Sequence, residues 1–222
     1  MFENFMTTAE FLNSFREYYI AIWPVLVIIQ ILGVCTFYLL FKKPVGYNRF
    51  ISLIIAFLWL WDGIVHQLLM AVSPSSQHIP MAIMFIAQGL LILYHGAIRA
   101  NLSFAYEKNK WTSKIGLFFM VYAIVGYLII QTIQGHPITE GGVFFSNICP
   151  FDCFTLGLLM MSGNKTPKYI VIIPLIWAVA GGLTAIFAWQ IWEDIILAVA
   201  GVITAKVIFF RKKEISQGER KQ

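Results

Sequence analysis

Apolar residues in this chain are gathered into seven long runs that are separated by short polar connections. The runs lie near residues 19–41, 50–72, 79–98, 115–133, 143–162, 168–189 and 191–210. A helix needs about 20 apolar residues to cross the hydrocarbon core of a bilayer, and each run has about that length. The pattern predicts an all-α integral membrane protein, a seven-transmembrane helix bundle whose single domain covers 19–210.

Residues 1–18 precede the first run and show a different pattern. Thr7 and Glu10 have the spacing of a capping box, which marks the start of a helix. The helical stripe that follows consists of Phe11, Leu12, Phe15 and Tyr19. A short amphipathic helix of this kind is expected to lie in the membrane interface. A frayed leader to the first span is the alternative.

Basic residues occur in every second connection. All but two of the 16 Lys and Arg fall in these connections or in the tail 211–222. They are Lys42, Lys43, Arg49, Arg99, Lys108, Lys110, Lys114, Lys165, Lys168, Arg211, Lys212, Lys213, Arg220 and Lys221. Because basic loops stay in the cytoplasm, we predict the N-terminus outside and the C-terminus inside, with 211–222 as a basic cytoplasmic tail. Anionic lipid headgroups are the expected partner of that face.

The same alternation bears on the fifth run, which has the weakest apolar character. It contains Asn147, Pro150 and Asp152, and it could be a re-entrant loop. If it did not cross the membrane, Lys165 and Lys168 would face outward, against the rule that the other loops obey. The charge pattern therefore predicts that the fifth run crosses.

Composition narrows the classes of protein further. The chain is 59% hydrophobic and 12% charged, whereas a soluble domain has about 25% charged residues. Little sequence remains for a soluble domain, and nothing in it has the character of a nucleic-acid-binding module. The cysteines Cys35, Cys149 and Cys153 all lie in apolar runs, so they do not form a disulfide framework.

Asp62 and His66 are ionisable residues inside the second run. Such residues are costly in hydrocarbon and usually mark a functional site. Their i,i+4 spacing places them on one face of a helix. The pair could relay protons or help to hold a cation. The alternative is an internal hydrogen bond or ion pair that ties helices together.

A second polar stretch lies in the fifth run. Pro150 would remove a helix hydrogen bond and free a carbonyl group, and broken helices near the midplane form the binding sites of many transporters. Cys149 and Cys153 are also i,i+4, and paired thiolates suit soft metals such as Cu(I) or Zn. Cysteine is also often an ordinary buried residue, so a structural role for both remains open.

Depth connects these residues with the third run. At 1.5 Å per residue, the polar groups of runs two, three and five all fall in the outer half of the membrane or at its midplane. We therefore predict a cavity that opens outward, with His136 and Glu140 at its mouth. The predicted substrate- or ion-binding residues are Asp62, His66, Gln88, Asn147, Cys149 and Asp152. The weak candidates for a metal site are Cys149, Cys153 and His66, and no catalytic residue is predicted.

The last two runs are locally similar to the last two helices of microbial rhodopsins. Pro174, Trp177 and Lys206 carry this similarity, which implies a bound retinal. The arginine and carboxylate cluster of the third rhodopsin helix is missing, and Val202 stands where an aspartate counter-ion is expected. Lys206 is also close enough to the predicted inner surface to extend its charge to it. Retinal is therefore the least favoured interpretation.

A broader resemblance covers most of the chain. It is carried by Trp23-Pro24, by Trp59-Leu60-Trp61 with Gly63 and His66, by Cys149-Pro150 with Phe154 and Gly157, and by Ile173-Pro174 with Trp177, Gly181 and Gly182. On these motifs the chain resembles a family of bacterial multi-pass membrane proteins with a domain of unknown function. The resemblance implies a location in the bacterial inner (plasma) membrane and supplies no activity. The family position equivalent to Asp152 is usually uncharged, which implies that Asp152 is not essential.

Together these features favour a small-solute or ion transporter or a channel-like protein, and they do not favour an enzyme. One alternative is a sensory or scaffold membrane protein without a transported substrate, which would have a dry interior around Asp62. Another is an intramembrane metal or cofactor site that uses His66 with Cys149. No cofactor is predicted otherwise, no nucleic-acid partner is expected, and a homo-oligomer is compatible with the sequence.

Overall fold

The computed structural model describes residues 7–69, 78–136 and 147–210, and most of these residues are helical. The helices are α1 (Thr8–Lys42), α2 (Tyr47–Leu69), α3 (His78–Ile98), α4 (Trp111–Ile133), α5 (Ile148–Met160), α6 (Lys168–Trp189) and α7 (Ile195–Phe209). Five of them, α1 to α4 and α6, are long and apolar enough to cross a membrane. The predicted all-α class is therefore confirmed, together with five helices of the membrane-spanning type.

Helix α1 is longer than predicted. The capping box is present, since the Thr7 hydroxyl accepts a hydrogen bond from the Glu10 amide at 3.3 Å and the Glu10 carboxylate accepts one from the Thr7 amide at 2.8 Å. The helix then continues without a break for 35 residues. The expected separate helix before residue 19 is instead the first turns of α1. Its apolar stripe packs on the bundle, where Phe11 stacks on Trp189 with ring centroids 3.9 Å apart.

Helix α5 is shorter than the fifth apolar run, and Pro150 does not break it. The helix begins at Ile148, and Asn147 caps it by accepting a hydrogen bond from the Cys149 amide at 3.1 Å. Pro150 therefore stands in the first turn, where an amide hydrogen has no partner within the helix. The predicted break in the helix is wrong, because the proline lies at a helix start and not in a helix interior.

Successive helices run up and down, so that their ends meet at two opposite ends of the bundle. At one end, the Tyr47 hydroxyl donates to the Phe104 carbonyl at 2.8 Å and the Lys168 ammonium donates to the Phe209 carbonyl at 2.9 Å. We call this the basic end, because the described Lys and Arg of the predicted inner loops lie there. At the other end, the start of α1 meets the end of α6. We call it the opposite end.

Helix α5 forms the centre of the bundle. All 13 of its residues are buried, and it packs between α4, α6 and α7. Its residue Phe151 belongs to an aromatic core that also contains Trp59, Phe85 and Trp177. Ring centroids are 5.5 Å apart for Trp59 and Phe85, 5.4 Å for Trp59 and Phe151, and 4.9 Å for Phe85 and Trp177.

Three of the long helices contain a π-helical segment. These segments are Asp62–Leu69 in α2, Leu93–Ile98 in α3 and Tyr122–Gly126 in α4. In a π-helix the hydrogen bonds run between residues five apart, and such segments often occur at functional sites. The first two segments contain His66 and His95, two of the four histidines in the chain.

Candidate functional site

Asp62 and His66 are in contact, as their spacing predicts. The Nδ1 atom of His66 lies 3.2 Å from Oδ1 of Asp62. The Asp62 side chain is 5% exposed and the His66 side chain 16% exposed. The carboxyl group is thus enclosed by protein, while part of the imidazole ring can reach water.

Two residues that the sequence reasoning missed extend this pair. Nε2 of Gln67 lies 3.4 Å from Nδ1 of His66, and Oε1 of Gln67 lies 2.9 Å from Nδ1 of His78. Asp62, His66, Gln67 and His78 thus form a hydrogen-bonded chain that passes from α2 to the first residue of α3. We call it the Asp62–His78 chain.

The π-helical backbone explains why Gln67 belongs to this chain. Gln67 follows His66 by one residue and Asp62 by five. In a regular α-helix its side chain would therefore point away from the face that Asp62 and His66 share. The wider turn of a π-helix, whose hydrogen bonds join residues five apart, brings Gln67 closer to the side of Asp62. The signal in the sequence was only the adjacency of Gln67 to His66. Nothing in the sequence indicated where the helix would widen.

Aromatic residues of α1 cover the His66 ring. The Tyr18 ring lies 4.6 Å and the Phe15 ring 5.6 Å from it, measured between centroids. The Tyr18 hydroxyl accepts a hydrogen bond from Nε1 of Trp61 at 2.9 Å. The first turns of α1 therefore form one wall of the site. The stripe noted in the sequence pointed to this contact surface, although it was assigned to the membrane interface.

The Nδ1 atom of His66 has two hydrogen-bond neighbours, one of which requires it to be a donor and the other an acceptor. A proton on Nδ1 can be donated to the Asp62 carboxylate. Without that proton, Nδ1 can accept a hydrogen bond from the Gln67 amide, but it cannot do both at once because a ring nitrogen carries either a proton or a lone pair. A proton on Nδ1 therefore selects the bond to Asp62, and a lone pair on Nδ1 selects the bond to Gln67, whose oxygen bonds His78.

Gln88 and Asn147 do not join this chain. The Gln88 amide nitrogen donates to the Ile170 carbonyl at 2.9 Å, which ties α3 to the beginning of α6. Asn147 uses its side-chain oxygen to cap α5. Gln88 was predicted from depth alone, and Asn147 from depth and its place in the polar stretch of the fifth run. Neither signal reveals which way a side chain points around its helix.

Asp152 lies in the interior of the bundle. Its side chain has no accessible surface, and neither carboxyl oxygen has a hydrogen-bond partner within the described residues. No space of the size of a water molecule adjoins it in this conformation. The ring of Phe151, the residue before Asp152, packs against Trp59, which stands one turn before Asp62. Asp152 therefore does not line an open cavity in this structure.

The candidate metal ligands Cys149 and Cys153 are both buried on α5. Cys149 and Cys153 are free thiols, and Sγ of Cys153 lies 3.8 Å from the Phe119 carbonyl oxygen. Within the part of the chain that the structure describes, no three His, Cys, Asp or Glu side chains are placed to hold a metal ion together. Lys206, the residue that suggested retinal, is on the exposed side of α7.

His136, predicted at the mouth of the cavity, belongs to a second polar cluster at the opposite end. Its Nδ1 atom lies 3.8 Å from Oε1 of Glu193, whose other oxygen accepts a hydrogen bond from Gln134 at 2.8 Å. The Tyr122 hydroxyl donates to the Glu193 carbonyl at 2.9 Å. Glu140, the other predicted mouth residue, lies outside the described residues.

Comparison with known proteins gives one match. Residues 8–219 match the model of a family of unknown function, DUF6064. No curated protein and no solved structure matches the chain.

Proposed function

The chain belongs to the DUF6064 family, whose description assigns no activity, and we propose from its site that it binds protons at Asp62 and His66 and couples this to the transport of a small solute or ion. The observation that carries the proposal is the contact of one imidazole nitrogen with both Asp62 and Gln67. Proton binding at that nitrogen frees the amide nitrogen of Gln67, the side chain whose oxygen bonds His78 of α3. A transporter needs such a link between a charge and the packing of its helices.

Polar atoms in the core support the transport part of the proposal. Nε1 of Trp59, Oε1 of Gln88 and both carboxyl oxygens of Asp152 are buried without a hydrogen-bond partner in the described residues. Each such atom costs about 1–3 kcal/mol. Water or a polar solute that entered between the helices would supply the missing partners. These new hydrogen bonds would stabilise a second, more open conformation of the region that the aromatic core fills.

We also propose seven membrane crossings, with the N-terminus outside. Helices α5 and α7 contain 13 and 15 residues, or about 20 and 23 Å of helix. The hydrocarbon core is about 30 Å thick. Since every residue of α5 is buried by protein, its short length leaves no backbone exposed to lipid at its sides, and irregular backbone at membrane depth is tolerated when protein covers it. The up-and-down order of the helices is in keeping with this topology.

A second candidate function is a proton sensor that transports nothing. The observation in its favour is the dry, tightly packed core beside Asp62, where Trp59 and Phe85 have no appreciable accessible surface. In such a protein, the Asp62–His78 chain would change the packing of α2 against α3 and pass that change to a partner. The chemistry of proton binding would be the same in both cases.

Charge displacement in proteoliposomes on a solid-supported membrane separates these functions. A pH jump on the purified full chain is expected to give a transient current from proton binding at the site. Asp62→Asn should remove that current, because asparagine still accepts a hydrogen bond from His66 but cannot bind a proton or supply the negative charge that favours a protonated His66. The matched control is Glu107→Gln, which neutralises an exposed carboxylate that pairs with Lys110 at 2.7 Å.

The outcomes are distinct. A transient current followed by a sustained current supports transport, and a transient current alone supports the sensor. A current that is unchanged in Asp62→Asn would exclude both proposals, since both depend on the same pair.

A further inference from the structure

His95 occupies a second hydrogen-bonded site at the basic end of α3. Its Nδ1 atom lies 3.1 Å from Oδ1 of Asn101, and its Nε2 atom lies 2.5 Å from the Tyr169 hydroxyl oxygen. The His95 ring is buried, whereas Tyr169 is 48% exposed. The ring is thus enclosed by protein but is one side chain away from the surface.

The partners of His95 define its tautomer. An amide oxygen can only accept a hydrogen bond, so Nδ1 carries the proton and donates it to Asn101. The Nε2 atom of the neutral ring then has a lone pair, which accepts the hydrogen bond of the Tyr169 hydroxyl. A proton that arrives from the surface would be taken up at Nε2, and the Tyr169 hydroxyl would turn from donor to acceptor.

We infer that His95 is a second proton-binding group, which exchanges protons at the basic end through Tyr169. Like His66 on α2, His95 lies on a π-helical segment. His78 and His95 lie at the two ends of α3, about 25 Å apart along the helix. One helix therefore carries a histidine of the Asp62–His78 chain at one end and the inferred site at the other.

The charged groups around His95 allow a proton to leave again. On α3 and just beyond it, Tyr94 lies beside the ring and Arg99 stands over Tyr94 at 5.7 Å. From α2, the residue that packs against this turn is the uncharged Ser52, in contact with Gly96.

The charged residues closest along the chain to Ser52 and Tyr169 are cations. Arg49 of α2 and Lys168 of α6 are exposed, and the Lys168 ammonium donates to the Phe209 carbonyl. Within the described residues, no carboxylate is hydrogen-bonded to His95, whereas Asp62 is in contact with His66. A protonated His95 is therefore not held by a fixed negative charge, which suits a group that releases protons.

A second contact couples this site to the core. Gln88, two turns before His95 on α3, donates to the carbonyl of Ile170, the neighbour of Tyr169. Helix α3 is thus hydrogen-bonded to two adjacent residues at the beginning of α6. Gln88 bonds Ile170, and His95 bonds Tyr169. A change in the Tyr169 hydrogen bond would alter one of these two contacts and leave the other as a pivot.

Nitrogen-15 NMR of the imidazole rings tests the inference in the full chain. The protein is labelled at its histidines and placed in lipid nanodiscs, and the His95 signals are assigned by their loss in His95→Gln. We expect the Nδ1-protonated tautomer at high pH and conversion to imidazolium as the pH is lowered. Tyr169→Phe should move the Nε2 signal toward that of an unbonded ring nitrogen.

The control is Tyr94→Phe, because the Tyr94 ring lies 5.0 Å from His95 but no hydrogen bond joins the two side chains. A His95 ring that stays in one neutral state throughout the titration would overturn the inference, as would an Nε2 signal that is insensitive to Tyr169→Phe.

The inference rests on the proposed function only for its role in transport. If the currents are absent but His95 titrates, the proposed function fails and this site stands. If the currents depend on Asp62 while His95 stays neutral, the reverse holds.

Discussion

Gly116 and Gly157 face each other where α4 crosses α5, and a methyl group on either would come within 2.4 or 2.5 Å of the carbonyl oxygen of the other. The two backbones are therefore in direct contact. Small residues allow this close approach, which is a common way of joining helices in membranes. The contact fixes the position of α5 and of the residues on it, including Asp152.

Replacing Gly157 by alanine should destabilise the protein. The added methyl group meets backbone, which cannot rotate away, so α4 and α5 must separate. Overpacking of this kind costs about 1–3 kcal/mol. Gly182→Ala is the matched control, because its methyl group would find its nearest neighbour at 3.6 Å, an ordinary contact. Unfolding of both variants in the same detergent measures the difference, and equal stabilities would contradict the assigned crossing.

Tyr18→Phe should also lower the stability, by a different mechanism. The substitution keeps the ring but removes the oxygen that accepts the Trp61 indole hydrogen at 2.9 Å. A buried donor without its acceptor costs about 1–3 kcal/mol. Tyr38→Phe on the same helix is the control, since Tyr38 is 61% exposed. If both variants unfold alike, the beginning of α1 is not packed against α2 in the membrane.

His78→Leu separates proton binding from its consequence. The Asp62–His66 contact remains, but Gln67 loses the partner that joins it to α3. We expect the transient current after a pH jump to persist and any sustained current to fall to the level of protein-free liposomes. His136→Leu is the matched control, because His136 belongs to the separate Glu193 cluster. Full retention of a sustained current in His78→Leu would show that Gln67 does not link the two helices functionally.

The sequence predicted the elements of this fold better than their lengths. Apolar runs identify segments that avoid water, but they do not distinguish a full span from a shorter helix with apolar flanks, as in α5. The capping box at Thr7 was readable because it depends on local spacing alone. The proline at position 150 was misread because its effect depends on where the helix begins, and Asn147 rather than the apolar pattern sets that point.

The candidate site was predictable only in part, for a similar reason. Asp62 and His66 are neighbours on one helix, so their spacing was sufficient. Tyr18 and His78 come from other helices, and their approach depends on helix rotation, which a single sequence does not encode in a readable form. Gln67 required a local π-helix, whose cause lies in the packing of α2 against α3.

Fusion reporters test the proposed topology at the point where the structure departs most from a simple count of spans. A reporter placed after Lys108 should report the cytoplasm, since it follows three long helices. A reporter after Lys165 follows α5, and it should also report the cytoplasm only if α5 crosses the membrane. The Lys108 fusion is thus the control for expression and insertion. An outward signal after Lys165 would mean that α5 enters and leaves on one side, and Asp152 would then lie in a re-entrant segment within the bundle.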